Sequence, residues 1–207
     1  MSPVLESPVL ETLLSRQSVK FVQAPGPAEP QLDLILQAAM RAPDHGAIRP
    51  WRFALVRGAD VPALVDVAVR VALAEGKPLP DHKAANARKW LAKVPLVILL
   101  ACRPDPNGRI RAEESHLSVA CAVMNMLNAA HALGFHGFWS TGMGTYLDGM
   151  GEALGFDALD EQFMGYLAIG TPIDAPTPAQ RPDYRAFVRE WRAAKPSRIG
   201  QSGRASP

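Results

Sequence analysis

Only two cysteines, Cys102 and Cys121, occur in the 207 residues, too few for a disulfide-stapled scaffold or a cysteine-rich zinc site. Long apolar runs are lacking as well. The longest, Val94 to Cys102, carries Pro95 and falls far short of the roughly 20 residues that a membrane-spanning helix needs. The first residues show no basic segment followed by an apolar stretch, so no secretory signal is expected. Aromatic residues are few, at 7%, yet hydrophobic residues reach 48% against 20% charged, without a long polar tract, which excludes disorder across the body. A chain of this size hides roughly 70% of its unfolded surface, enough for a core. The expectation is a globular protein of the cytoplasm.

The common catalytic signatures are missing too. There is no G-x-x-x-x-G-K-[ST] phosphate loop, no H-E-x-x-H, no G-x-S-x-G and no pair of C-x-x-C. Gly142-Met143-Gly144 begins like a dinucleotide fingerprint, but Leu147 stands where the third glycine belongs, so it reads as a turn after a strand. His131 and His136 lie five apart across Gly134, off a shared helix face, while His82 and His116 sit among polar neighbours. These four read as surface or packing histidines, and no metal site is expected. The net charge of +2 hides an asymmetry: Arg181, Arg185, Arg189, Arg192, Lys195, Arg198 and Arg204 against Asp183 and Glu190 give the C-terminal segment +5 and leave −3 for the rest. Without a nucleic-acid motif beside it, this basic segment reads as a solvated helix followed by a frayed end.

Periodicity and punctuation set out the elements. Ser-Pro-Val-Leu-Glu occurs twice, at Ser2–Glu6 and Ser7–Glu11, and Ser followed by Pro starts a helix well, so one copy opens a helix to about Ser15. Leu32, Ile35, Leu36 and Ala39 follow helical spacing until Pro43. Helices are expected at Asp60–Glu75 with Asp60 as cap, Asp81–Lys93, Glu113–Leu133, near Tyr146–Leu154, and Asp183–Ala194. Gly76, Gly134 and Gly155 stand where C-terminal caps belong. Strands are expected at Arg52–Val56, Phe135–Trp139 and Phe163–Ile169, with Val94–Cys102 as a strand buried on both faces. Glu113–Leu133 is apolar or small nearly all round from Leu117 on, as for a central core helix or one packed on a second subunit. This alternation implies an α/β or α+β sandwich. Residues 1–9 read as an extension, 10–195 as one domain and 196–207 as a flexible tail.

Two clusters join cationic and hydroxyl groups with permissive backbone. One is Ser15-Arg16-Gln17-Ser18-Val19-Lys20-Phe21, where Arg16 can fork on to a phosphate and Ser18 add a hydroxyl. The other is the loop Arg41-Ala42-Pro43-Asp44-His45-Gly46, running on to Arg49-Pro50-Trp51-Arg52-Phe53. Each has a plain structural reading, Arg16 as a cation at a helix C-terminus and Asp44-His45 as turn residues. Spacing alone does not choose between these readings.

Taken together with Gly137-Phe138-Trp139-Ser140-Thr141-Gly142 and Gly165-Tyr166-Leu167-Ala168-Ile169-Gly170-Thr171-Pro172, these blocks in this order resemble the nitroreductase family of FMN-dependent oxidoreductases, especially its small bacterial branch. The resemblance runs from about Leu10 to the last helix. It implies an α+β fold, a three-layer α/β/α sandwich with a central, mainly antiparallel sheet, in an intertwined homodimer with FMN at the subunit interface. It further implies that Arg16, Gln17 and Ser18 hold the FMN phosphate and ribityl end, that Arg41 and His45 contact the flavin from the other subunit, and that Trp139, Ser140 and Thr141 line the isoalloxazine. The implied activity is hydride transfer from NADH or NADPH through flavin N5 to an electron-poor nitroaromatic or quinone-like acceptor, by a ping-pong scheme. A flavin-binding regulator with little turnover, or a flavin-fragmenting or dehalogenating member of the same fold, are the other readings. Gln17 stands in place of the family's second arginine, and Ser140 in place of an arginine typical of similar proteins. Both remove a cation and are expected to weaken phosphate or nicotinamide-nucleotide affinity, with Arg49, Arg52 or a basic side chain of the C-terminal segment as candidates to replace it.

Overall fold

Within the run Val94–Cys102, expected as a strand buried on both faces, Leu96–Cys102 forms the strand (β3) and is buried at all seven positions of the computed structural model, which describes residues 7–192. Its side chains alternate between two layers. Leu96, Ile98, Leu100 and Cys102 pack with Leu32, Ile35 and Ala39 of helix α2 (Glu29–Ala39) and with Val119, Val123 and Met126 of α5 (Ala112–Ala132). Val97, Leu99 and Ala101 face Val65 and Ala68 of α3 (Ala63–Ala74), Trp90 and Leu91 of α4 (Asp81–Leu91), and Met150 of α6 (Met150–Ala153). One strand thus divides two cores, which makes the fold the expected three-layer α/β/α sandwich.

Every strand pairing is antiparallel. The long strand β5 (Gln162–Pro172) is the hub: it pairs with β3, with β4 (His136–Ser140) and, through Thr171 and Pro172, with the two-residue β1 (Val22–Gln23). On its other edge β3 pairs with β2 (Trp51–Arg57). Helix α1 (Pro8–Ser15) starts at the second copy of the pentapeptide, where the Ser7 hydroxyl accepts the Leu10 N–H at 3.4 Å and Pro8 is the first helical residue. The first copy lies outside the described residues. No helix among the described residues is long and apolar enough to cross a membrane.

Three expectations are corrected. Asp60 caps nothing: it lies in a 3₁₀ turn, Gly58–Asp60, and α3 begins only at Ala63, after Pro62. Around Tyr146–Leu154 the helix shrinks to the four residues of α6, preceded by turns. The helix over Asp183–Ala194 is absent as far as residue 192. Only a 3₁₀ turn forms at Tyr184–Phe187, where the Asp183 carboxylate accepts the Arg185 N–H at 2.9 Å. Tyr184, Phe187, Val188 and Trp191 of the segment are all exposed among the described residues, and a helix of about twelve residues without a packed face is marginal in water.

Candidate functional site

Strand β4 links two cavities. Its C-terminal end is shaped by a bulge in β5: Leu100 pairs with Gly165 while Ala101 pairs with Phe163, leaving Met164 as the extra residue. The bulge reverses the alternation, so Phe163 and Tyr166, three apart, face the same core. Gly165 sits at φ +111°, and the backbones approach so closely that a Cβ there would lie 2.4 Å from the Ser140 carbonyl oxygen. The indole N–H of Trp139 donates to the Met164 carbonyl at 3.1 Å, which fixes the ring against the bulge. Past the strand, the Ser140 hydroxyl accepts the Gly142 N–H at 3.2 Å, and the buried Tyr166 hydroxyl donates to the Met143 carbonyl at 3.1 Å. Gly142–Gly144 is therefore the expected turn. Beside it opens a cavity of about 730 Å³ lined by Trp139, Thr141, Thr145, Tyr146 and Met164 among others.

At the other end of β4, Arg16 caps the C-terminus of α1 through its N–H to the Thr12 carbonyl, and the chain continues alongside β4, where the Val19 N–H donates to the Gly137 carbonyl at 3.0 Å. Arg16 and Gln17 line a second cavity of about 260 Å³ with Leu14, His131, His136 and Arg181. Arg16 Nη1 is buried and has no hydrogen-bond partner among the described residues. Burial, and then the nearby Arg181 cation, lower the pKa of the Arg16 guanidinium. Two cations held together with no lining carboxylate favour an anion between them. At about 3.3 Å per residue, His136 and Ser140 stand about 13 Å apart along β4.

His131 and His136 meet through the end of α5. The Gly134 N–H donates to the His131 carbonyl (3.0 Å) and the Phe135 N–H to the Ala130 carbonyl (2.8 Å), a Schellman turn with Gly134 at φ +85°. The turn reverses the chain and stacks the two rings edge to face, centroids 5.3 Å apart.

The eight residues singled out in the sequence fall in three places. Arg16 and Gln17 share the smaller cavity, with Ser18 exposed on the adjoining segment. Trp139 and Thr141 share the larger one, with Ser140 between them against Gly165. Arg41 and His45 line neither. Arg41 is exposed at the end of α2, and His45, in a 3₁₀ turn at His45–Ala47, pairs through Nδ1 with Glu114 Oε2 at 2.6 Å. Of the candidate replacement cations, Arg52 is engaged with Glu161 (3.1 Å) and with the Arg49 and Trp51 carbonyls, whereas Arg181 of the C-terminal segment does reach Arg16's cavity.

The nitroreductase family profile matches residues 13–171 of the chain, which take in the larger cavity and the smaller one except for Pro176, Pro178, Ala179 and Arg181. "Putative NAD(P)H nitroreductase YdjA" of Escherichia coli (strain K12) is 36% identical over 181 residues, covering 86% of this chain and 97% of that protein. Among solved structures, a nitroreductase-like family protein from Bacillus cereus superposes with a TM-score of 0.74 at 21% identity, over 93% of this chain and all of that one. A nitroreductase with bound FMN from Bacteroides fragilis gives 0.65 at 20%, over 89% and 98%. Sequence profile, near full-length identity and sandwich topology agree, and this chain belongs to the nitroreductase family.

Proposed function

We propose that the protein is an FMN-dependent NAD(P)H oxidoreductase of the cytoplasm, acting as a homodimer on an electron-poor acceptor such as a nitroaromatic or a quinone. The observation that carries this reading is the buried Arg16 Nη1 beside Arg181, without a partner among the described residues: a buried guanidinium nitrogen needs an acceptor, and a flavin phosphate supplies one. The other end of β4 fits as well, since Trp139 is locked by Met164 at the mouth of a cavity large enough for a ring system.

When bound, FMN supplies a two-electron carrier whose N5 takes hydride from NAD(P)H and passes it to the acceptor. The chain's own residues bind and orient. Arg16 and Arg181 neutralise the phosphate, while Gln17 and Ser18 offer uncharged hydrogen bonds beside it. Trp139, Ser140 and Thr141 shape the isoalloxazine end and keep water from one side of it. Arg41 and His45 reach the flavin from the second subunit, which explains why they line neither cavity within one chain. An interface is at hand: Leu117 (65% exposed), Cys121 and Met124 (44% exposed) form an open stripe on α5, and α1 has no buried residue. Residues 10–195 then act as one FMN-binding domain.

The test is the visible spectrum of the purified protein, followed by NADH or NADPH without oxygen. Flavin bands that bleach, with parallel double-reciprocal lines in steady state, are expected. A colourless protein that ignores added FMN overturns the proposal, and crossing lines remove the ping-pong scheme alone. Loss of one charge-assisted contact of about 1.5–3 kcal/mol predicts that Arg16→Ala weakens FMN binding by about ten- to a hundredfold.

A further inference from the structure

The smaller cavity holds two imidazoles that hydride transfer leaves unused. Of six buried side-chain polar atoms without a partner among the described residues, three belong to residues that line this one cavity: Arg16 Nη1, His131 Nδ1 and His136 Nδ1. Buried polar atoms are rarely left unsatisfied, so their coincidence points to a ligand that meets them together.

The hydrogen bonds fix the tautomer of His131. Ser15 Oγ lies 2.7 Å from the Glu11 carbonyl oxygen, which can only accept, and so gives its one proton there. The same oxygen lies 2.9 Å from His131 Nε2, which must then be the donor. Neutral His131 therefore has a bare Nδ1, a buried acceptor among cations. His136 is kept neutral near pH 7 because burial, and then the neighbouring His131, push its pKa below the usual 6.5. The ionisable groups facing the pair are Arg16 from α1 and Arg181 from the C-terminal segment. The β5 residues beside His136, Ile169 to Thr171, carry none, and no carboxylate lines the cavity.

We propose that His131 and His136 make this a proton-coupled anion site: a phosphate monoester dianion held by Arg16 and Arg181 draws a proton from solvent on to a bare imidazole nitrogen and accepts the hydrogen bond so created. The assignment rests on the cavity being the phosphate end of the FMN site. The sign follows from linkage. The bound anion raises the proton affinity of the pair, so binding takes up a proton, and affinity falls as pH rises toward the bound-state value. The second ionisation of a phosphate monoester lies near pH 6, so above pH 7 the ligand itself adds no slope.

The full-length protein freed of flavin is titrated with FMN between pH 7.0 and 8.5 by flavin fluorescence, and by calorimetry in two buffers of different ionisation enthalpy to count protons. The Kd is expected to rise with pH, approaching about tenfold per pH unit for one fully linked proton, with measurable proton uptake. His136→Gln and His131→Gln are each expected to weaken FMN binding at pH 7.0 and to lose most of the slope and the uptake. Wild-type binding without proton uptake, or variants that retain it, overturns the proton coupling and leaves the flavoenzyme standing. If FMN does not bind, methyl phosphate is titrated at pH 8.0. Uptake with it keeps the anion site while the flavin assignment falls, and its absence overturns both.

Discussion

Gly165 sits where two constraints meet, and replacing it by alanine separates them. At φ +111° any side chain is strained, at a cost of about 1–3 kcal/mol. The added methyl would also stand 2.4 Å from the Ser140 carbonyl oxygen, a backbone atom that cannot swing away, and overpacking of this kind costs about another 1–3 kcal/mol. Gly155 supplies the control, because its φ of +87° carries the strain while nothing lies within 4 Å of the new Cβ. Gly165→Ala should therefore lose about 3–5 kcal/mol, a large part of an ordinary stability of about 5–15 kcal/mol, and Gly155→Ala only about 1–2 kcal/mol.

Urea denaturation of both variants reads the difference directly, and in a domain of this size each kcal/mol should lower Tm by about 2–4 °C. Relief of the clash can come only by parting β4 from β5, so Gly165→Ala should also weaken flavin binding, whereas Gly155→Ala should not. Equal destabilisation of the two variants would refute the close approach at Ser140. Unchanged stability of Gly165→Ala would refute the bulge geometry altogether.

Leu117→Glu with Met124→Glu places two carboxylates on the open stripe of α5, and sedimentation should show the dimer dissociating, with FMN lost in parallel; a dimer that persists places the interface elsewhere. The Asp105 carboxylate accepts the N–H groups of Asn107 (3.1 Å), Arg109 (3.0 Å) and Ile110 (3.1 Å), which hold its pKa below 3.8. Its contribution is complete above that value and fades as pH falls through the lower folded-state pKa, so Asp105→Asn should flatten the acid limb of stability below about pH 5. An identical acid limb in the variant would rule the carboxylate out as its source.

Much of the scaffold was legible because period and burial agree. The seven-residue apolar run of β3 allowed no reading but a doubly covered strand, and α5 and β4 came within a residue of their observed limits. The two-residue β1 was invisible, since Val22 and Gln23 form a strand only because Pro172 and Thr171 lie opposite. The helix expected over Asp183–Ala194 failed, as far as residue 192, for the reverse reason. Its helical pattern is genuine, but a pattern predicts a helix only where something covers the apolar face, and nothing among the described residues does.

The site was legible at its ends and not between them. Arg16 and Trp139 stand in local motifs, but the bulge that locks Trp139 follows from register, which one strand's sequence does not contain. The histidine pair is different, because its signal was present. Five residues apart, His131 and His136 cannot share a helix face, and that test alone sets them apart. Gly134, however, marks the helix end, and a Schellman turn brings the residue at its second-to-last carbonyl back toward the one that opens the next strand. Spacing arguments that stop at element boundaries miss such pairs. Carried through the cap, the same residues place two imidazoles side by side, lining one cavity with Arg16.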